Sequence, residues 1–340
     1  MRVKIDEKNN SLWLTAALWL ALAVLGLLHF GGVGAKWMTL LAGVGVLALL
    51  FFGDEKRLWN LPSLLLLGYA SWSWLTIFWA MSGKFHLREG SKLLIAVFFF
   101  LLVALHKSFD GAFARRVAGI IAGLSAFYAF LSVEAVSTGL TKTLLARLPA
   151  IDTEKTVFNG TRLYGIFGNS NIEASVFAVG VLLSVALVCG AEKKWQRVMW
   201  IITLSFCAFA FLLGFSMGAM ACFAAAVAVY LIFAGKGRSA ALLRMLSAAL
   251  PTLASAFAAV SLFSGERSAL VLALMLANAG ISVLLELTVS ARLSVALEKH
   301  ERLAFAVLLA VVLGACVYLA AALRVTGAYT FGPSLYRSAQ

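Results

Sequence analysis

The stretch Arg162-Leu-Tyr-Gly-Ile-Phe-Gly-Asn-Ser-Asn171 runs directly into Ile172-Glu-Ala-Ser-Val-Phe-Ala-Val-Gly-Val-Leu-Leu-Ser-Val-Ala-Leu-Val-Cys189. The second half is a continuous apolar run, close to the ~20 residues a helix needs to cross a hydrocarbon core. A membrane barrel strand would alternate apolar and polar residues instead. The first half is polar, contains glycine and carries a cation. A polar segment abutting a membrane helix is a natural place for chemistry.

The same reading extends over the whole chain. Of its 340 residues, 62% are hydrophobic and 13% charged, and mean hydropathy is +0.96. A soluble globule is nearer half apolar and a quarter charged. The fold class is therefore all-α, a polytopic helical membrane protein forming one integral membrane domain over residues 1–340. Eleven spans are expected, at about 12–30, 37–52, 61–81, 93–106, 117–136, 172–189, 198–215, 219–233, 241–263, 269–289 and 303–323. The first run is long enough to span and carries no cleavage pattern, so it reads as a retained signal anchor.

With the N-terminus in the cytoplasm, 17 of the 28 Lys and Arg residues fall on the inner side, with at least two in every inner loop. That is the positive-inside bias. It accounts for the net charge of +13 without a nucleic-acid partner. The outer cations gather in two loops, one holding Lys84, Arg88 and Lys92, the other Lys142, Arg147, Lys155 and Arg162. Outer cations work against the topology. Lys84, Lys92, Lys142 and Lys155 read as side chains reaching lipid phosphates. Arg162 reads as functional. Gly165 and Gly168 let the backbone turn or approach a ligand closely, and Asn169, Ser170 and Asn171 offer hydrogen-bonding groups where helix amides lie unpaired. From local rules the segment is either an ordinary helix cap with a glycine turn or an anion site built from a helix N-terminus and a guanidinium.

The motif Arg162-Leu-Tyr-Gly-Ile-Phe-Gly-Asn-Ser-Asn171, followed by a small-residue-rich helix, resembles the signature of the O-antigen ligase and O-antigen polymerase superfamily. Ser170 stands where that signature usually has proline. A second landmark, Ser-Arg-Gly-Ala at an outer helix junction, is matched in place by Ser216-Met217-Gly218-Ala219, without the arginine. The resemblance covers roughly residues 61–337, with its signature region at 162–234. It implies a glycosyltransferase of polysaccharide assembly, acting in the bacterial cytoplasmic membrane and needing no cofactor. Such an enzyme moves a glycan from an undecaprenyl-diphosphate carrier to a glycan or lipid acceptor on the outer face. By the same resemblance Arg162 contacts the diphosphate, and Asn169 and Asn171 shape its pocket. Tyr164, Ser216 and Arg88 join the substrate-binding set, and Arg337 matches an arginine that opens the family's large outer loop. Residues 324–340 are expected to begin that loop. That loop carries the family's histidine base beyond residue 340, so the catalytic base is expected to be absent from this chain, which would be a fragment, a truncated gene product or an inactive relative.

Other residues carry less. The outer segments hold one aspartate, Asp152, and no paired-carboxylate metal motif. Glu134 and Glu173, at outer helix ends, would accept a proton from a sugar hydroxyl or, more simply, pair with Arg162. Glu286 is expected to pair with a basic residue at the inner end of its span. Outer His29 and His86 read as interfacial; His106 and His300 face the cytoplasm. Trp72, Trp74 and Trp79 read as belt residues. Gly119–Gly123 and Gly214–Gly218 read as helix-packing pairs. Cys189, Cys207, Cys222 and Cys316 read as small core residues. Two rival functions stand: a lipid-linked-glycan transporter or flippase, and a non-catalytic scaffold of cell-surface assembly. Mid-span positions nearly free of charge argue against ion-coupled transport.

Overall fold

The computed structural model describes residues 59–79, 103–107, 109–145, 162–166, 170–233, 237–262, 269–298 and 300–310, with isolated positions at 12–14, 16, 17, 20, 44, 54, 97, 100, 101 and 314. Among these residues the elements are helices, with no strand. Helix α1 is Leu61–Leu75 and tightens into a 3₁₀ turn over Thr76–Trp79. There follow α2 (Gly111–Ser137), α3 (Leu140–Leu145), α4 (Ser170–Cys189), α5 (Lys194–Leu213), α6 (Met217–Phe233), α7 (Arg238–Leu262) and α8 (Ala269–Leu285). A π turn over Glu286–Ser290 joins α8 to α9 (Ala291–Glu298). Five of the described helices are long and apolar enough to cross a membrane: α2, α4, α5, α7 and the run Ala269–Leu297. The chain is a helical membrane protein.

The expected spans reappear with boundaries moved by capping. Helix α2 begins before residue 117 because Asp110 accepts from the Phe113 N–H at 2.7 Å, drawing Arg115 and Arg116 into the helix. Helix α5 begins before residue 198, where the Gln196 side chain accepts from the Lys193 N–H at 3.3 Å. The run expected at 269–289 continues to Glu298, because the π turn absorbs one register step without ending the helix. The loop between residues 137 and 171 contains α3. The spans expected at 12–30, 37–52, 93–106 and 303–323 lie wholly or largely outside the described residues.

Helices α4 and α5 form the centre, α2 packs against both, and α7 and α8 pack on α5. In lipid, such association comes from close packing and interhelical hydrogen bonds rather than from hydrophobic burial. Gly180 marks the tightest approach. A Cβ there would lie 2.6 Å from the Cys207 Sγ of α5 and 2.7 Å from the Ser125 Cβ of α2. The paired-glycine expectation holds only by halves. Gly119 meets Trp200 and Gly214 meets Ala174, while Gly123 and Gly218 face open space. Mid-bundle, the buried Asn278 of α8 accepts from Thr252 Oγ1 of α7 at 3.2 Å, and its amide donates to the Ser205 carbonyl of α5 at 3.4 Å. The outward faces of α6 and α7 are apolar and exposed, with Val229, Ile232 and Phe233 on one and Leu250, Leu253 and Phe257 on the other. These are faces suited to lipid. Of the cysteines, Cys207 is buried, Cys189 half-buried and Cys222 exposed. The core reading therefore fails for Cys222, which sits on the lipid-suited face of α6, and Cys316 lies outside the described residues. Trp72 is exposed; the side chains of Trp74 and Trp79 lie outside the described set.

Consecutive long helices alternate in direction, so the bundle has two unlike ends. One gathers the starts of α2, α5 and α7 with the end of α4, and carries Arg115, Arg116, Lys193, Lys194, Arg197, Arg238 and Arg244. There Glu286 is buried and meets Arg244 Nε at 3.3 Å and Arg197 Nε at 3.8 Å. Its expected pairing with a basic residue is thus present, supplied by two helices. Arg244 also donates to the Cys189 Sγ at 3.2 Å. His106, stacked on Phe113 with ring centroids 4.4 Å apart, is buried.

Gly180→Ala is expected to destabilise the bundle by about 1–3 kcal/mol through overpacking. Gly123→Ala, with open space around it, should be neutral or stabilising by up to about 1 kcal/mol. Thermal unfolding of the two variants in detergent separates these outcomes.

Candidate functional site

The opposite end of the bundle holds the motif. Residues 162–166 cross it as non-helical backbone, which is tolerated at membrane depth only where its polar groups find partners. The Leu163 N–H donates to the Leu213 carbonyl at the end of α5, at 2.8 Å. Leu163 and Ile166 are fully buried in the core. Between them Tyr164 is half-buried, and Gly165 adopts φ +48. At that position a Cβ would overlap both carboxylate oxygens of Glu173, so only glycine fits.

Glu173 explains the crossing. It lies in the first turn of α4, where a carboxylate answers the positive end of the helix dipole. It is fully buried and accepts from Ser132 Oγ of α2 at 2.9 Å. Ser132 in turn accepts from the Ile166 N–H at 3.4 Å. One relay therefore ties α2, α4 and the crossing segment together. Glu134 does a parallel task on the other side of the loop. It accepts from Thr138 Oγ1, from the Leu140 N–H at 2.8 Å and from the Thr141 N–H at 2.5 Å, and so caps α3.

These bonds overturn one expectation. Neither Glu134 nor Glu173 pairs with Arg162: Glu134 is held by the Thr138 hydroxyl and the Leu140 and Thr141 N–H groups, and Glu173 by the Ser132 hydroxyl at one of its oxygens. Burial also removes Glu173 from the reach of a substrate hydroxyl. Arg162 is half-buried, and among the described residues no carboxylate pairs with it. The helix-dipole half of the expected anion site is likewise taken by Glu173 itself. Of the expected anion site, the half-buried Arg162 guanidinium is the part left without a carboxylate partner among the described residues.

The structure brings the two motif segments into contact. Ser216 Oγ donates to Asn171 Oδ1 at 2.8 Å, across 45 positions of sequence. The same hydroxyl accepts from the Ala219 N–H at 3.2 Å, making Ser216 the cap of α6. The turn from α5 to α6 is only Gly214–Ser216, and Phe215 takes φ 41, a left-handed conformation that a bulky residue adopts only when its surroundings impose it. Arg162, Tyr164, Asn171 and Ser216 thus share one bundle end, held by the Leu163–Leu213 and Asn171–Ser216 bonds. Asn169, Arg88 and Arg337 lie outside the described residues, as do Gly168, Asp152, His29 and His86. Among the described residues no cluster of three or more metal-ligating side chains occurs.

Two features escaped the sequence reading. The Glu173–Ser132–Ile166 relay was hidden because its members lie on three segments; the only local sign was a glycine ahead of a first-turn glutamate. The Asn278 hydrogen bonds were missed too, their one sign being a lone amide within the apolar run Ala269–Leu285. Compared with known proteins, the chain matches no protein-family model, no curated protein and no solved structure.

Gly165→Ala should destabilise the protein by about 2 kcal/mol or more, from the positive φ and the overlap with Glu173. Glu173→Ala should lose about 1–3 kcal/mol by stranding the Ser132 hydroxyl. The double variant should fall short of the sum by about 0.5 kcal/mol or more, because the carboxylate that the added methyl would strike is gone. Thermal unfolding of the three variants checks the cycle; strictly additive losses would show that the two positions do not touch.

Proposed function

We propose that the chain is a membrane glycosyltransferase of the O-antigen ligase and polymerase type, working at the outer face of a bacterial cytoplasmic membrane. Its donor is a glycan linked to undecaprenyl diphosphate, and its acceptor a glycan or lipid hydroxyl. The observation that carries this reading is the Asn171–Ser216 hydrogen bond. It joins the two segments by which the sequence resembles that superfamily, at the bundle end that also holds Arg162.

The chemistry follows from the leaving group. As the bond between sugar and diphosphate breaks, negative charge grows on the phosphate oxygens and a fixed cation there lowers the barrier. Arg162 is suited to this, since a guanidinium can grip two phosphate oxygens at once. Among the described residues neither Glu134 nor Glu173 pairs with it, so they do not neutralise it. Asn171 and Tyr164 supply polar contacts beside it, with Asn171 oriented by Ser216. Sidedness rests on charge. The end opposite Arg162 holds the dense group of Arg and Lys side chains, the pattern of a cytoplasmic face. Leu12 and Trp13, at the start of the first apolar run, line a cleft at that same end, in keeping with a cytoplasmic N-terminus. A transporter is disfavoured because the polar centre among the described helices is the neutral, hydrogen-bonded Asn278.

In membranes carrying the intact gene product, Arg162→Ala is expected to lower glycan transfer from a lipid-diphosphate donor by about 100-fold or more at an unchanged protein level. Arg162→Lys, which keeps the charge but loses the fork, should fall between. Transfer at the parental rate by Arg162→Ala would remove the assignment.

A further inference from the structure

At the basic end, opposite Arg162, lies a cleft of about 480 Å³ between the start of the chain, α2, α4 and α5. That volume lies within the ~300–1,000 Å³ usual for small-molecule sites. Its walls include Trp13, Trp195 and Trp200, and its rim carries Arg115 and Arg116. Gly119 keeps it open toward α5, since a Cβ there would stand 3.0 Å from the Trp200 ring. Both arginines are exposed. Arg115 approaches Glu192 only at 4.0 Å, with the two side chains 58% and 86% exposed. A pair so open to solvent holds the guanidinium weakly.

We infer that this cleft binds one anionic phospholipid of the inner leaflet, its phosphodiester on Arg115 and Arg116 and its acyl chain among the indoles. Three observations point the same way. The cavity is walled largely by apolar side chains, which suits an acyl chain. The lining carries Arg115 and Arg116, and the only carboxylate paired with either among the described residues is the exposed Glu192, so an anion is attracted more than a zwitterion. Trp13 and Trp195 are exposed indoles at the level of the cationic rim, where such rings meet headgroups. Adjacent guanidiniums can hold a phosphodiester by paired N–H donors, which lysines do less well. The inference does not depend on the glycosyltransferase reading, since it concerns the other end of the bundle.

The test is native mass spectrometry of the full chain in mild detergent, titrated with phosphatidylglycerol or with phosphatidylcholine of the same acyl composition. One phosphatidylglycerol should be retained in preference to phosphatidylcholine. R115A/R116A should reduce that retention about tenfold or more, whereas K193A/K194A should change it less. Should R115A/R116A aggregate, R115Q/R116Q supplies the same loss of charge with the stems kept, and the same loss of retention is expected. Equal retention of the two lipids would overturn the inference, as would undiminished phosphatidylglycerol binding in the arginine variants. Displacement of the lipid by glycerol phosphate at equal concentration would also overturn it, by showing a site for a free phosphate.

Discussion

A carboxylate buried at the end of a membrane bundle must be answered by donors, and in this chain the answer to Glu173 organises the site. Ser132 donates to it, Ile166 donates to Ser132, and Gly165 lies so close that no side chain fits. An exposed loop could satisfy its backbone with water. A segment laid across helix ends cannot, so Leu163 and Ile166 donate their N–H groups and, with Gly165, are buried. Arg162 and Tyr164 take their positions from that constraint rather than from any pairing of their own.

The spans were legible because a bilayer imposes a simple requirement of length and apolarity. Helices α2, α4, α5, α6, α7 and α8 each fall on an apolar run visible in the sequence. Their starts were not legible where a polar residue does helical work: Asp110, Gln196 and Ser216 look like loop residues until their side chains are seen to cap. The extension past residue 289 to Glu298 was hidden for a related reason, since Arg292 read as an inner-loop cation.

The site was legible in part. The resemblance put Asn171 and Ser216 in one candidate set, and the bond between them is visible only in the fold. The pairing of Glu134 and Glu173 with Arg162 did not hold, because opposite charges near each other in sequence say nothing of the backbone donors that reach the carboxylates first. Gly180 could not be explained from sequence, and Gly165 was legible only as a turn, not as a close approach to Glu173. Their neighbours Cys207, Ser125 and Glu173 become neighbours only when the helices pack.

The unlike ends of the bundle give the molecule its direction. One end concentrates guanidiniums and ammoniums around Glu286, and the other holds Arg162 at the end shared with Asn171 and Ser216, paired among the described residues with neither nearby glutamate. A diphosphate-linked donor at the outer surface is reachable only if the second end faces outward. Cysteine accessibility measures this directly. On a background with Cys189, Cys207, Cys222 and Cys316 replaced by alanine, Met217→Cys places a thiol beside Ser216, at a residue 75% exposed, and Lys194→Cys places one at the basic end. A membrane-impermeant maleimide applied to intact spheroplasts should label position 217 and reach position 194 only after lysis. The reverse pattern would put Arg162 in the cytoplasm and contradict the function proposed for it.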